Sequence, residues 1–279
     1  MTASATGRWV VRPRTVEGAG LRVLCIAYAG GGSAVFNSWP DGLPADVEIC
    51  AVQLPGRGSR MLQRPFTRTT DLIPVLGEKA APYLDGPFVL FGHSMGALIS
   101  FELARWLRAN GLNQPLHLFV SARRAPQLPH DHPTVHELSD ARLVEELRRL
   151  GGTPEELLAD ERALRLLLPG IRADFELNDC YGYRPEPALE CPITAYGGRG
   201  DDRVDIEGLS AWREQTSGPF DLRLFDGGHF FIHSAQGPLL SAFREDLRRV
   251  MAPVRTQTPQ GSPSPCPAAP RPPQRALDA

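Results

Sequence analysis

Pro87-Phe88-Val89-Leu90-Phe91-Gly92-His93-Ser94-Met95-Gly96-Ala97-Leu98-Ile99-Ser100-Phe101-Glu102-Leu103-Ala104 places an apolar run, a G-x-S-x-G pentapeptide and an apolar helical repeat in immediate succession. The uninterrupted run before Gly92 predicts a buried strand, and the three- and four-residue spacing after Met95 predicts a helix. The pentapeptide therefore falls where a strand turns sharply into a helix. A serine at the apex of such a turn needs neighbours without Cβ atoms if its hydroxyl is to stand clear of the sheet. The helix that starts beside it also presents unpaired N–H groups to a developing negative charge. A bare G-x-S-x-G carries little weight in a chain with 27 glycines. With strand and helix on either side it makes Ser94 a candidate nucleophile, against the plainer reading of an ordinary strand–helix turn.

Working outward, short apolar runs recur at Arg22–Tyr28, Val47–Gln53, Phe88–Phe91, Leu116–Ser121, Ile193–Tyr196 and Leu222–Phe225. Helical periodicity lies between or after them at Asp71–Leu84, Ser94–Asn110 and Ser234–Met251. This alternation predicts an α/β fold with a mostly parallel sheet and helices on both faces. Some seventy residues separate Ser121 from Ile193 without a convincing strand, and they carry helical patterns at Asp140–Leu150, Pro154–Leu158, Glu161–Leu168 and Arg172–Tyr181. Crossovers rarely need that length, so residues 133–183 read as a helical lid inserted into a domain spanning 1–251. From Ala252 the chain has eight prolines and almost no large apolar residues, and 252–279 reads as a disordered tail.

Length and 42% hydrophobic content suit one sizeable core. A net charge of −2 and the lack of a basic stripe disfavour nucleic acid as a partner. Cys25, Cys50, Cys180, Cys191 and Cys266 are odd in number, scattered and free of C-x-x-C, which argues against a disulfide framework or a zinc site. No metal or other cofactor is called for. Neither a signal-like N-terminus nor a run long enough to span a membrane is present, so a cytoplasmic protein is expected.

A serine hydroxyl needs a histidine base, and that base needs a carboxylate to fix its tautomer. In α/β serine hydrolases the chain order is nucleophile, acid, base. Only His229 and His233 follow the last predicted strand, and His229 sits in the glycine-hinged loop Asp226-Gly227-Gly228-His229, which makes it the candidate base. His93, His117, His130, His132 and His136 fit that order poorly. The strand at Ile193–Tyr196 runs into Gly197-Gly198-Arg199-Gly200-Asp201-Asp202, so the acid is Asp201 or Asp202, Asp201 being favoured, with Asp226 an outsider. The oxyanion hole needs a second N–H besides that of Met95, and Tyr28-Ala29-Gly30-Gly31-Gly32-Ser33 is the loop after an early strand, with Ala29 or Gly30 as donor. No Lys-Ser/Thr follows those glycines, so a phosphate-cradling loop is the weaker reading. Gly30, Leu143, Leu147 and Leu168 are candidates for the substrate pocket and its lid.

Ala29-Gly30-Gly31-Gly32, the Ser94 pentapeptide, Ser121-Ala122-Arg123-Arg124-Ala125-Pro126, Leu150-Gly151-Gly152-Thr153-Pro154, Leu168-Pro169 with Arg172-Ala173-Asp174, Gly197-Gly198 with Asp201, and Gly228-His229-Phe230 occur in that order. On these motifs residues 20–250 resemble the stand-alone type II thioesterases of polyketide and nonribosomal peptide assembly lines. The resemblance implies an α/β-hydrolase fold and hydrolysis of acyl thioesters on the phosphopantetheine arms of acyl carrier protein domains, in a proofreading role. Separately from the resemblance, a monomer is expected. It carries over Ser94 as the acylated nucleophile, His229 as base, Asp201 as orienter, and Met95 with Ala29 as oxyanion donors. Asp202 stands where the family commonly has proline, which keeps Asp202 open as the acid. A carrier's acidic surface would call for a positive patch. Arg123 to Cys180, however, holds eight arginines against twelve acidic residues, leaving only a local cluster of Arg123, Arg124, Arg148 and Arg149. A carboxylesterase with the same triad and a non-catalytic binding scaffold are the rival functions.

Overall fold

The computed structural model describes residues 8–129 and 133–257. Seven strands form one sheet in the order β1-β3-β2-β4-β5-β6-β7: β1 (Val10–Val11), β2 (Leu21–Ile26), β3 (Val47–Val52), β4 (Phe88–His93), β5 (Leu118–Ser121), β6 (Ile193–Gly198) and β7 (Phe220–Phe225). Every neighbouring pair is parallel except β1 with β3. The six runs expected from the sequence are the six parallel strands. β1, two residues long, is too short to carry a periodicity.

The central strands are buried on both faces, which is why they read as continuous apolar runs. Their side chains still divide with period two: Leu24, Ile26, Phe88 and Leu90 enter one core layer, while Val23, Cys25, Val89 and Phe91 enter the other. Helices α1 (Thr69–Ala80) and α2 (Met95–Ala109) close the first layer with Leu72, Leu76, Leu103 and Leu107. Helix α8 (Gln236–Gln257) closes the second through Leu239, Phe243 and Leu247, with Trp39 and Phe36 packed edge-on in the same layer.

The insertion between β5 and β6 holds α3 (Asp140–Leu150), α4 (Glu155–Ala159) and α5 (Glu161–Asp179), which share a core of their own: Val135, Leu143, Leu147, Leu158, Leu168, Ile171 and Phe175. The two helical patterns expected at 161–168 and 172–181 are one helix. Pro169 removes a single backbone donor, and Leu168, Ile171 and Phe175 on both sides of it pack into the same core, which holds the helix through the break. Helices α6 (Ile206–Ser210) and α7 (Phe231–Ser234) are short and follow the loops after β6 and β7. Helix α8 runs six residues past the expected boundary at Met251, since Met251 is core and a helix anchored there propagates at little cost. The rest of the expected tail, residues 258–279 with Cys266, lies outside the described residues, as do His130 and His132. No helix among the described residues is long and apolar enough to cross a membrane.

Candidate functional site

Four loops meet at the carboxyl ends of the parallel strands, where an open α/β sheet places its ligands. Ser94 follows β4 at φ 55°, ψ −114°, one of two non-glycine residues with positive φ among those described. The turn is held by close packing. A Cβ on Gly96 would lie 2.0 Å from the carbonyl oxygen of Ile26, and one on Gly92 would lie 2.0 Å from that of Gly96. Neither neighbour can move, because both are backbone of the sheet and the helix it feeds. The Ser94 N–H is committed to the Ser121 carbonyl at 2.7 Å, so the next amide, Met95, opens α2 with no acceptor in its own helix.

His229 lies beyond β7, with Nε2 3.0 Å from Ser94 Oγ and Nδ1 2.8 Å from Asp201 Oδ2. The Asp201 side chain is fully buried, and its other oxygen accepts the Arg203 N–H at 2.9 Å. The acid and base loops touch backbone to backbone: Gly200 N–H donates to Gly227 at 2.9 Å, and a Cβ on Gly198 would come within 2.5 Å of the Gly228 oxygen. Glycine is thus required for the two loops to approach closely enough for Asp201 to reach His229. Asp202 instead faces outward, 71% exposed, and pairs with Arg149 of α3 at 2.9 Å. Asp226 is almost fully exposed and pairs only loosely with Arg199, and the helix cap near residue 205 is Asp205 itself.

The other described histidines serve other contacts. His233 Nε2 lies 2.7 Å from Tyr28 Oη, and His117 Nε2 lies 2.8 Å from Thr194 Oγ1. His136 contacts Asp179 at 2.8 Å. His93 is fully buried between Ser121 Oγ at 2.9 Å and the His229 carbonyl at 3.0 Å, and burial, with His229 and His233 nearby, holds it well below the ordinary histidine range. Adjacency to Ser94 in the sequence gave no sign of that bracing position.

Gly31 N–H closes a turn onto the Tyr28 carbonyl at 2.9 Å, with Gly30 at φ 80° inside it. Of the two expected amide donors, Gly30 is already occupied: its N–H is given to Asp174 Oδ2 at 2.7 Å. Ala29 lines the cavity that also holds Ser94 and His229, and Gly30 does not. That cavity measures about 80 Å³ and lies beneath the insertion, with Leu147, Val135, Phe175 and Phe230 among its walls. A second, of about 300 Å³, opens from the other side of Ser94 and His229 and is lined by Arg123, Gln127, Leu128, Tyr181 and Tyr183.

Of the expected lid residues only Leu147 borders the Ser94 cavity. Leu143 is fully buried inside the insertion's core. Leu168 faces a separate outer groove between α3 and α5. Both positions obey the same helical period as Leu147, and period alone does not tell a helix face turned to its partner helices from one turned to the cavity.

The expected cluster of four arginines does not form a patch. Arg123 turns inward onto Asn178 at 2.9 Å, where burial pushes its guanidinium down to about 10. Arg124 lies near Asp205, Arg148 pairs with Glu155, and Arg149 pairs with Glu146 and Asp202.

A mostly parallel sheet of this order, with a serine at the β4–α2 turn, an acid after β6 and a histidine after β7, defines an α/β-hydrolase. The family model for the thioesterase domain matches residues 21–247, and the chain belongs to the thioesterase family, hydrolases of thioester bonds. Gramicidin S biosynthesis protein GrsT of Aneurinibacillus migulanus is 42% identical over 250 residues, 90% of this chain and 98% of that protein. Thioesterase PikA5 of Streptomyces venezuelae is 37% identical over 229 residues, 82% of this chain and 81% of that one. The solved structure of the type II thioesterase BorB from the borrelidin biosynthetic cluster matches with a TM-score of 0.80 at 37% identity, covering 89% of this chain and all of that one.

Proposed function

We propose that this protein is a stand-alone type II thioesterase that removes stalled or aberrant acyl groups from the phosphopantetheine arms of carrier proteins in a polyketide or nonribosomal peptide pathway. The observation that carries the reading is the continuous contact from Asp201 through His229 to Ser94 at 2.8 and 3.0 Å, at a point where two cavities meet. The pathway class is supported by relatives whose names place them in gramicidin S and borrelidin biosynthesis.

Ser94 Oγ attacks the thioester carbonyl as His229 Nε2 takes its proton, and Asp201 holds the imidazole with Nδ1–H toward the carboxylate. The oxyanion is received by the N–H groups of Met95 and Ala29. Collapse breaks the C–S bond, and the thiolate leaves with the proton returned from His229. Water, deprotonated by His229, then attacks the Ser94 ester; the acyl–Oγ bond breaks, His229 returns the proton to Ser94 Oγ, and the free acid leaves. A thiolate is a far better leaving group than an amine, so the burden falls on nucleophile and oxyanion donors rather than on leaving-group protonation.

The cavity under the insertion, walled on one side by Val135, Leu147, Leu150 and Phe175, takes the acyl group, and the larger one with Gln127, Tyr181 and Tyr183 takes the amide-bearing arm. A dry cavity of about 150 Å³ admits a benzene ring, so the smaller volume here suits an acyl chain of a few carbons. The described cysteines, Cys25, Cys50, Cys180 and Cys191, are free thiols, in keeping with a reducing cytoplasm.

The test is mass spectrometry of carrier domains loaded with a series of acyl groups and incubated with the protein. Short acyl groups are expected to be released fastest, and Ser94→Ala is expected to abolish release while keeping the fold. Near-normal turnover by Ser94→Ala on an acyl-N-acetylcysteamine thioester would falsify the mechanism. A preference for matched oxygen esters would favour a carboxylesterase.

A further inference from the structure

Asp174 is a buried carboxylate on α5, in the insertion, yet its partners belong to the hydrolase sheet's loops. Its Oδ2 accepts the Gly30 N–H and the Arg57 Nη1–H, each at 2.7 Å, and its Oδ1 accepts the Arg57 Nη2–H at 2.6 Å. Arg57 Nη1 also donates to the Gly31 carbonyl at 3.0 Å. The two ends of the Gly30–Gly31 step are thereby clamped, one by the carboxylate and one by the guanidinium it holds. The clamp is itself backed: Gln53 Nε2 donates to the Arg57 carbonyl at 2.8 Å, while Gln53 Oε1 accepts the Ser33 N–H and hydroxyl at 2.9 and 2.6 Å. Helix α5 presses on this turn and on the neighbouring loop that bears Arg57 without room to spare. A Cβ on Gly30 would lie 3.1 Å from Ile171 Cγ1, and one on Gly170 would lie 2.6 Å from the Gly56 carbonyl oxygen.

From this arrangement we infer that Asp174 is a positioning residue for the oxyanion hole. Through Gly30 and Arg57 it fixes the peptide plane next to Ala29, so that the Ala29 N–H is aimed into the Ser94 cavity only while α5 is seated on the turn. Asp174 touches no substrate and does not line that cavity. Its effect passes through a donor whose worth depends on direction, and oxyanion donors act on charge that exists only in the transition state. The insertion then does more than wall the acyl pocket, because the helix that covers the substrate also sets the catalytic amide. The inference rests on the Ser94 thioesterase reading, and the experiment separates the two.

The informative variants replace the whole buried pair, because removing one partner leaves the other charged and unpaired in the interior. Asp174→Leu with Arg57→Met fills the space with apolar atoms and takes the acceptor from Gly30. Asp174→Asn with Arg57→Gln is also uncharged but keeps an oxygen for the Gly30 N–H. With an acyl-N-acetylcysteamine substrate and folded protein verified by circular dichroism, the apolar pair is expected to lose roughly 10²-fold in kcat with KM changed by less than about twofold. The amide pair is expected to stay within about fivefold of wild type. Affinity for an acyl trifluoromethyl ketone, whose hemiketal oxygen occupies the oxyanion hole, is expected to fall in proportion to kcat. Equal kcat in both pairs, or a kcat loss without loss of analogue affinity, overturns the inference. Turnover by Ser94→Ala, measured alongside, overturns the underlying reading instead. Should the apolar pair fail to fold, Asp174→Asn alone has one oxygen contested by Gly30 and Arg57, and its kcat is expected to drop about tenfold at constant KM. A wild-type kcat there overturns the inference equally.

Discussion

His93 Nε2 lies 3.0 Å from the backbone carbonyl of His229, while Nδ1 lies 2.9 Å from Ser121 Oγ. A carbonyl oxygen only accepts, so Nε2 carries the proton and Nδ1 accepts from the Ser121 hydroxyl. Burial favours that neutral form. Ser121 also accepts the Ser94 N–H through its own carbonyl, so the loops bearing nucleophile and base are both referenced to the end of β5. Loss of the brace in His93→Ala leaves all three triad side chains in place but loosens the His229 loop. Small misplacements of a catalytic group are costly, and kcat is expected to fall about 10- to 10²-fold with an unchanged circular dichroism spectrum. Wild-type kcat in a folded His93→Ala protein would show the contact to be incidental.

Asp201 and Asp202 are adjacent in sequence but opposite in circumstance, one fully buried against His229 and the other exposed against Arg149. Asp201→Asn keeps the shape while favouring the wrong imidazole tautomer, and kcat is expected to fall by roughly 10³- to 10⁴-fold. Asp202→Asn gives up only a surface ion pair, worth about 0–1 kcal/mol, and is expected to leave kcat within about twofold. Steady-state rates on one thioester substrate decide the matter. The opposite ranking would move the acid to Asp202.

How far the sequence could be read depended on how local the signal was. Ser94 and its glycines were legible because a strand, a forced turn and a helix are contiguous, and the parallel strands because burial on both faces makes them unbroken apolar runs. His229 and Asp201 followed from chain order and glycine loops, although the 0% exposure that separates Asp201 from its neighbour arises from loops 28 residues apart meeting through Gly198 and Gly228. The bonds from Asp174 to Gly30 and from His93 to His229 span 144 and 136 positions, and no periodicity encodes them. Pro169 works in the other direction: a proline inside a helical pattern reads as a break, while the packing of Ile171 and Phe175 beyond it keeps α5 whole.

Leu147 and Leu143 lie one turn apart on α3, but only Leu147 borders the Ser94 cavity. Truncating Leu147 to Ala adds volume where the acyl chain sits and is expected to shift the preferred substrate toward longer chains, read as relative kcat/KM across an acyl-N-acetylcysteamine series. Leu143→Ala opens a hole in the insertion's own core. It is expected to cost about 2–5 kcal/mol of stability, read by urea unfolding, with little change in chain-length preference. Identical chain-length profiles in the two variants would remove Leu147 from the acyl wall.

His117 stacks on Phe119 at a centroid distance of 4.3 Å and reaches Thr194 through Nε2, and burial pushes its pKa down to about 4 against a partly opposing effect of Asp221. An unfolded histidine titrates near 6.5. Between those two values the unfolded chain binds a proton that the native state does not, so native stability is complete above about pH 6.5 and declines as the pH falls toward 4. At about 1.4 kcal/mol per pH unit for one proton, the decline attributable to this group is on the order of 3 kcal/mol. His93 and His233, also lowered by burial, add to it in the same direction. His117→Gln keeps a polar group beside Thr194 but cannot titrate, so its stability, measured by urea unfolding between pH 7 and 4.5, is expected to fall less steeply than that of the wild type. Parallel curves for the two proteins would mean that His117 takes up its proton in the folded state as readily as in the unfolded chain.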